Sequence, residues 1–261
     1  MRVTVLGGYA GVTSTGAGCS GYLIRDGSTA IVADLGPGTL GELRRHVALD
    51  EIDGIVVSHG HLDHILDLAA LHLLLLYGPT RGKRRLRLFL PPDPTGQLDR
   101  WRTAIAAATD GSLLDETFDV AEYDPSQALT IGPVEVRFAP TVHPLQAYAM
   151  RFTGDRHAIG FTADTGPAAD LNGLFAGVDV LISEATLAEV TAADGPGEAR
   201  GHLTATEAGL LATRASARTL VLSHRWEEHD AASQRSEAAL DFPGRILMSA
   251  PGLTVDASHA D

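Results

Sequence analysis

The chain has 261 residues, of which 44% are hydrophobic, and it carries a formal net charge of −13. That hydrophobic content is enough for a sizeable core, and because no low-complexity linker divides the sequence we expect a single domain over residues 1–261. The negative charge disfavours a polyanionic partner such as nucleic acid. The lone cysteine, Cys19, excludes an internal disulfide and fits a reducing compartment.

Hydrophobic periodicity and turn residues predict a succession of strands and helices. In chain order they are strands near 2–6, 20–25 and 29–34, helix 39–48, strand 54–57, helix 63–77, strand 86–90, helix 96–109, strands 134–139, 147–152 and 157–162, helix 168–175, strand 178–182, helix 203–215, strand 218–223, helix 229–240 and strand 245–248. This order indicates a mixed, layered α/β domain. Since the first strand begins at residue 2, we expect no secretory signal and a cytoplasmic location. The apolar run 71–76 is too short to span a bilayer.

Four side chains that bind metals or transfer protons fall within residues 58–64, Ser-His-Gly-His-Leu-Asp-His. The segment follows a predicted buried strand and precedes a predicted helix. In an extended turn alternate side chains point the same way, so His59 and His61 can hold one ion while Asp63 and His64 face the other side. Imidazole and carboxylate suit Zn²⁺, Mn²⁺ or Fe, and the absence of thiolate argues against a closed structural zinc site. The alternative is a histidine-rich surface turn without an ion.

Three further candidate ligands each come directly after a predicted apolar strand, and they are His143, Asp164 and His224. Together with residues 58–64 they resemble the ordered ligands of the metallo-β-lactamase fold, whose signature is His-x-His-x-Asp-His. The resemblance spans nearly the whole chain and implies a four-layer αββα sandwich with metals at one edge between the sheets. By this resemblance one ion is held by His59, His61 and His143, the second by Asp63, His64 and His224, and Asp164 is shared.

Two other motifs resemble the ribonuclease Z branch of this fold. Residues 183–186 (Ser-Glu-Ala-Thr) resemble its His-Glu-Ala-Thr motif, and residues 201–204 (Gly-His-Leu-Thr) resemble its Gly-His-Ser-Thr motif. The resemblance implies that His202 contacts the scissile phosphate and can help to protonate the leaving oxygen, with Glu184 orienting it. A helix that starts just after His202 would add backbone N–H groups for an anionic oxygen. The alternative for His202 is a structural position ahead of a helix N-cap.

Asp34 ends a predicted strand and matches the first-motif aspartate of the family. Its expected role is to accept the spare N–H of a ligating histidine and so fix the tautomer of that ring. The alternative is a turn aspartate that caps the helix predicted to start near Thr39.

The chain also departs from true ribonuclease Z. His143 and Asp164 lie too close in sequence to leave room for that enzyme's long protruding arm, and residues 18–22 (Gly-Cys-Ser-Gly-Tyr) stand where it has an arginine-containing substrate motif. The one basic cluster, residues 81–87, is interpreted as a solvated loop entering a strand. The motifs look more like the compact actinobacterial members of this branch, which include atypical cyclic-nucleotide phosphodiesterases.

We therefore expect a binuclear metal-dependent hydrolase of a small phosphodiester, with a cyclic nucleotide as the best single candidate. Two divalent ions, with Zn²⁺ fitting the ligands best and Mn²⁺ or Fe as alternatives, would activate water. Asp63 would position that water and His202 would assist the leaving oxygen. The other hypotheses are a carboxyl-ester, lactone or thioester hydrolase, a ribonuclease Z-like RNA-processing enzyme, and a non-catalytic metal-binding scaffold.

The expected partner is a small anionic substrate, and neither nucleic acid nor a membrane is expected. Between Ile65 and Tyr77 only Asp67 and His72 interrupt a run of apolar residues, so this helix needs cover on more than one side. That cover comes either from the chain's own loops or from the same helix of a second copy across a two-fold axis. Ribonuclease Z relatives pair through this region, and we therefore expect a homodimer.

Overall fold

The structure is a computed structural model that describes residues 1–79, 81–82, 84–195 and 199–259. Its strands are β1 (Arg2–Gly7), β2 (Gly21–Asp26), β3 (Thr29–Leu35), β4 (Gly54–Val56), β5 (Leu86–Leu90), β6 (Phe118–Glu122), β7 (Leu129–Ile131), β8 (Val134–Pro140), β9 (Tyr148–Thr153), β10 (Ala158–Phe161), β11 (Val180–Glu184), β12 (Thr219–Ser223), β13 (Arg245–Met248) and β14 (Thr254–Asp256). Its helices are α1 (Thr39–His46), α2 (Leu62–Ile65), α3 (Asp67–Tyr77), α4 (Gln97–Ala108), α5 (Asn172–Phe175), α6 (Ala205–Arg214) and α7 (Ala231–Ala238).

The two seven-stranded sheets share one plan. The first has the order β14-β1-β2-β3-β4-β5-β6 and the second the order β13-β12-β11-β10-β9-β8-β7. In each sheet one half pairs antiparallel, while strands β3 to β6 and strands β10 to β13 pair in parallel. Parallel neighbours require crossover connections, and helices α1 to α4 supply them for the first sheet and α5 to α7 for the second. The carboxyl ends of the parallel strands therefore lie together in each sheet.

Three apolar clusters define the layers. One lies between the sheets and includes Tyr22 and Ile24 from the first sheet with Phe152 and Ile159 from the second. A second joins the first sheet to its helices, and a third joins the other sheet to its helices. Because side chains alternate between the two faces of a strand, apolar residues of the same strand reach both faces of its sheet. Two mixed sheets with helices on both outer faces confirm the expected αββα sandwich.

The observed elements differ from the predicted ones in a few places. The helix predicted over 63–77 is divided at Leu66, although that residue keeps helical dihedral angles. Strands β6, β7 and β14 were not predicted, and the helix predicted over 168–175 is only the single turn α5. Within the described ranges, no helix combines the length and apolar character needed to cross a membrane.

Candidate metal centre

Except for His202, each predicted site residue lies at or shortly after the carboxyl end of a strand. Asp34 lies near the end of β3, residues 58–64 follow β4, His143 follows β8, Asp164 follows β10, Glu184 ends β11 and His224 follows β12. His202 lies in the loop just before α6. The carboxyl ends of strands in α/β sheets open into a common crevice, so residues far apart in sequence converge there.

The first group of side chains brings three imidazole nitrogens together. His61 Nδ1 lies 3.0 Å from His59 Nε2 and 2.9 Å from His143 Nε2. Asp164 Oδ2 lies 3.7 Å from His59 Nε2 and 3.8 Å from His143 Nε2. Ring nitrogens this close together compete for protons, whereas a single cation can accept the lone pairs of all three. The four ligand atoms lie within 4.8 Å of one another, as a metal site requires.

The second group is built in the same way around Asp63, His64 and His224. His224 Nε2 lies 3.1 Å from Asp63 Oδ2 and 3.3 Å from His64 Nε2. Asp164 Oδ1 lies 3.3 Å from His64 Nε2 and 3.4 Å from His224 Nε2. The two carboxylate oxygens of Asp164 therefore face different groups, Oδ2 the first and Oδ1 the second. This is the geometry of a bridging carboxylate.

The rings are held by their outward nitrogens. Four of the imidazoles are anchored through Nδ1, with His59 on Ser58 Oγ, His64 on Asp34 Oδ2, His143 on the Gly201 carbonyl and His224 on Thr186 Oγ1. Each anchor fixes the tautomer and leaves Nε2 facing the cluster. His61 is the exception, since its Nδ1 faces the other two rings of its group.

Asp34 makes the contact expected from the sequence. Its carboxylate is fully buried and accepts bonds from Ser58 N at 2.7 Å, Ser58 Oγ at 2.7 Å and His64 Nδ1 at 2.6 Å. Ser58 Oγ in turn contacts His59, so one carboxylate orients a ring in each group. Asp34 does not cap α1, whose N-cap is Gly38 without a side-chain bond.

Glu184, at the end of β11 in the second sheet, forms a second anchoring point. His202 Nδ1 lies 3.1 Å from Glu184 Oε1, and Thr186 Oγ1 donates to Glu184 Oε2 at 2.7 Å. The N–H groups of Thr165 and Leu203 also donate to this carboxylate, at 2.6 and 3.1 Å. Because Thr186 Oγ1 also contacts His224, Glu184 orients His202 directly and His224 through one hydroxyl.

Burial and charge set the protonation of these groups. Burial holds the pKa of His59 well below its ordinary value, which favours the neutral, metal-binding ring. Burial also opposes the charged form of His64, but the carboxylates of Asp164 and Asp34 raise the pKa of that ring well above its usual range. A divalent cation would compete with the His64 proton for the same nitrogen. For His202, burial is outweighed by Glu184, which raises the pKa to about 9.

Sequence reasoning missed three contributors to this edge. Gly11 N–H donates to Asp63 Oδ2 at 2.8 Å, Thr186 links Glu184 to His224, and Trp226 packs against Gly11. The stretch near the N-terminus, residues 7–18, is rich in glycine. Its density of glycines was a signal of close backbone approach, since glycine alone leaves room for it.

Comparisons with known proteins agree with this geometry. Residues 29–225 match the model of the Beta-lactamase superfamily domain. The probable metallo-hydrolase YhfI of Bacillus subtilis is 32% identical over 254 residues, covering 97% of this chain and 98% of YhfI. The crystal structure of YhfI superposes with a TM-score of 0.84 at 28% identity, again over 97% and 98% of the two chains.

Two further relatives extend the likeness. An uncharacterized protein of Mycobacterium tuberculosis is 32% identical over 93% of this chain and 88% of its own length. Ribonuclease Z of Halobacterium salinarum is 26% identical over the whole of this chain and 99% of its own length. With the ordered ligand clusters and the αββα fold, these matches show that the chain belongs to the metallo-β-lactamase superfamily, as a metallo-hydrolase related to YhfI and to ribonuclease Z proteins.

Proposed function

We propose that the protein is a binuclear metal-dependent phosphodiesterase that cleaves a small phosphodiester such as a cyclic nucleotide. The proposal rests on the Glu184–His202 pair, which sits against the candidate metal groups. A ligand atom of His202 lies within 4.8 Å of those of Asp164 and His224. In the ribonuclease Z branch, which residues 183–186 and 201–204 resemble, such a pair acts on the leaving oxygen of a phosphodiester as a general acid and its orienting group.

The donor set fits two divalent cations. Asp164 Oδ1 is buried and, within the described part of the chain, has no hydrogen-bond partner, although it faces two ring nitrogens. A buried carboxylate oxygen without a partner is costly, and a cation would satisfy it. Nitrogen and oxygen donors without thiolate suit Zn²⁺, Mn²⁺ or Fe, and Zn²⁺ fits these ligands best.

The proposed ligands divide as the two groups do. His59, His61 and His143 would hold one ion, Asp63, His64 and His224 the other, and Asp164 both. When bound, the ions would polarise the phosphoryl oxygens and lower the pKa of a water molecule so that it becomes a nucleophile at neutral pH.

The chain's own residues then have distinct tasks. His202 is protonated at neutral pH, and because Nδ1 is bonded to Glu184 its Nε2 is the nitrogen that delivers a proton to the leaving oxygen. Burial opposes ionisation of Asp63, but contact with His224 and the charge of His64 keep its pKa below the usual range. Its carboxylate is therefore available to position the attacking water.

A small substrate is favoured over RNA. The segment between His143 and β10 is occupied by β9, which pairs directly with β8 and leaves no arm. In the basic cluster over residues 81–87, of which Lys83 lies outside the described residues, Arg84, Arg85 and Arg87 donate to backbone carbonyls of their own chain. Ribonuclease Z of Halobacterium salinarum supports phosphodiester chemistry by its name, but in the described part of the basic cluster these three arginines are engaged with their own chain rather than free for a long polyanion.

Turnover measurements test this proposal. Metal-loaded protein should hydrolyse 3′,5′-cyclic AMP or bis(p-nitrophenyl) phosphate faster than lactones, carboxyl esters or thioesters, and lose that activity with chelation. Preference for a lactone or thioester would move the protein to the rival hydrolase class. Preference for precursor transfer RNA would make it an RNA-processing enzyme, and metal binding without any turnover would indicate a scaffold.

We also propose that the protein is a homodimer. Helices α2 and α3 bury Leu68, Leu71 and Leu75 against their own sheet. Their opposite side leaves large apolar side chains exposed, namely Leu62, Leu66, Leu73 and Tyr77. The spacing of four, seven and four residues places these side chains in one helical stripe, and the same stripe of a second copy is the partner that a two-fold axis would supply.

A further inference from the structure

Two segments without predicted ligand side chains pack together beside the metal groups. Tyr9 forms a parallel bridge with Arg225, and backbone bonds join Ala10 N to Arg225 O at 3.1 Å and Arg225 N to Gly8 O at 3.2 Å. Arg225 Nη2 also contacts the Tyr9 hydroxyl at 3.1 Å, with the guanidinium 5.0 Å from the ring centroid. These contacts fix the segment that carries Gly11 against the segment that carries Trp226.

Gly11 joins this pair of segments to the metal groups. Its N–H donates to Asp63 Oδ2 at 2.8 Å. It has a φ of 66°, and a Cβ placed there would lie 2.9 Å from Cη2 of Trp226. The missing side chain therefore lets the indole pack directly on the Gly11 backbone, whose other side contacts the candidate ligand Asp63.

The rim formed in this way exposes two apolar side chains and has no lysine or arginine available to a substrate. Trp226 is 37% exposed and Val12, next to Gly11, is 63% exposed. Residues 8–18 and 226–230 contain no lysine or arginine, and the second segment has three acidic residues. Arg225 is only 7% exposed and is committed to Tyr9. Such a surface disfavours a second phosphate and suits an uncharged, flat group.

We propose that Trp226 is the platform on which an aromatic group of the substrate stacks while the phosphodiester lies at the metal groups. This inference rests on the proposed function and names its substrate class, a phosphodiester joined to a nucleobase or a similar flat ring. Val12, which follows Gly11 in the sequence, is the second exposed apolar side chain of these segments. Stacking of one base on an aromatic side chain contributes about tenfold to a hundredfold in affinity.

The test is equilibrium binding of adenosine 5′-monophosphate and ribose 5-phosphate to metal-loaded protein by titration calorimetry. The wild type should bind the nucleotide about tenfold to a hundredfold more tightly than the sugar phosphate. Trp226→Ala should abolish that preference and leave the affinity for ribose 5-phosphate unchanged, while Trp226→Phe should retain most of it. Leu240→Ala is the matched control, because Leu240 is an apolar side chain that is 78% exposed and lies outside both segments.

Each outcome separates the platform from the reaction. The platform is refuted if the wild type shows no preference, if it binds neither compound at millimolar concentration, or if the preference survives Trp226→Ala with metal content and unfolding temperature unchanged. A preference that depends on Trp226 in a protein that fails to cleave phosphodiesters would support the platform and reject the proposed reaction. Cleavage of phosphodiesters without any preference for the nucleotide would support the proposed reaction and reject the platform.

Discussion

Glu184→Gln should destabilise the protein in a pH-dependent way, because the carboxylate holds His202 in its protonated form. The contacts in the folded protein raise the pKa of His202 from an ordinary value near 6.5 to about 9. A shift of that size corresponds to about 3 kcal/mol. Since the His202 side chain is 30% exposed, solvent screening makes this figure an upper bound.

The sign of the effect follows from linkage. A pKa that is raised in the folded state contributes its full stabilisation below the unfolded pKa, near pH 6.5, and loses it as the pH rises through about 9. The gap in unfolding free energy between wild type and Glu184→Gln should therefore be largest near pH 6 and shrink by up to about 3 kcal/mol toward pH 10. A pH-independent loss of about 1–3 kcal/mol should remain, because an amide cannot accept from Thr165, Thr186 and Leu203 together.

Urea unfolding of chelator-treated protein across this pH range measures the gap. Chelation removes any contribution of bound metal to the pKa of His202. The control is the same Glu184→Gln change in a His202→Ala background, where the gap should no longer depend on pH. A gap that is flat or widens with pH when His202 is present would refute the assignment of Glu184 as the group that holds its proton.

Three further predictions concern metal binding, reaction class and assembly. Asp164→Ala should remove most of the bound metal, because the two carboxylate oxygens of Asp164 face different groups of ligands. Elemental analysis after dialysis measures the metal, and a variant that keeps its full content would contradict the bridging role. His202→Ala should lower phosphodiester turnover by about 10²-fold with metal content unchanged, and an equal loss in carboxyl-ester turnover would count against a leaving-group role. Leu66→Glu combined with Leu73→Glu places charges in the proposed dimer stripe and should shift the sedimentation coefficient to that of a monomer. Leu113→Glu, at another exposed leucine, should leave the coefficient unchanged. A wild-type protein that is already monomeric would reject the dimer.

The ligand groups could be predicted because their signal is local. Residues 58–64 concentrate four functional side chains, and His143, Asp164 and His224 each follow an apolar run that reads as a strand on its own. The carboxyl ends of parallel strands collect at one edge of a sheet. Their place at strand ends was therefore readable from the sequence, whereas their division between two ions came from the resemblance to the metallo-β-lactamase fold.

The elements that were missed lack such a signal. Strands β7 and β14 have three residues each, too few to show an alternating pattern, and they form because a neighbouring strand offers an edge. The contact between Gly11 N and Asp63 joins residues 52 positions apart through a backbone group that every residue possesses. The position of Trp226 depends on the backbone pairing of residues 8–10 with Arg225, so neither could be found from residue types.

The convergence of the ligands also depends on backbone conformations that cannot be recognised from the sequence. Asp34, Ala163 and His224 have φ values of 57°, 51° and 46°, and they are three of the five non-glycine residues with positive φ in the described ranges. Asp34 is the last residue but one of β3, Ala163 lies between the end of β10 and Asp164, and His224 directly follows β12. An extended backbone would send successive side chains to alternate faces of the sheet, whereas a left-handed residue turns the chain at that point. Such conformations cost about 1–3 kcal/mol each and persist where the surroundings impose them. Three left-handed residues at one edge indicate that the fold accepts a local loss of stability there, because these conformations direct Asp34, Asp164 and His224 toward the metal centre. The alanine at position 163 gives no sign of this conformation in the sequence.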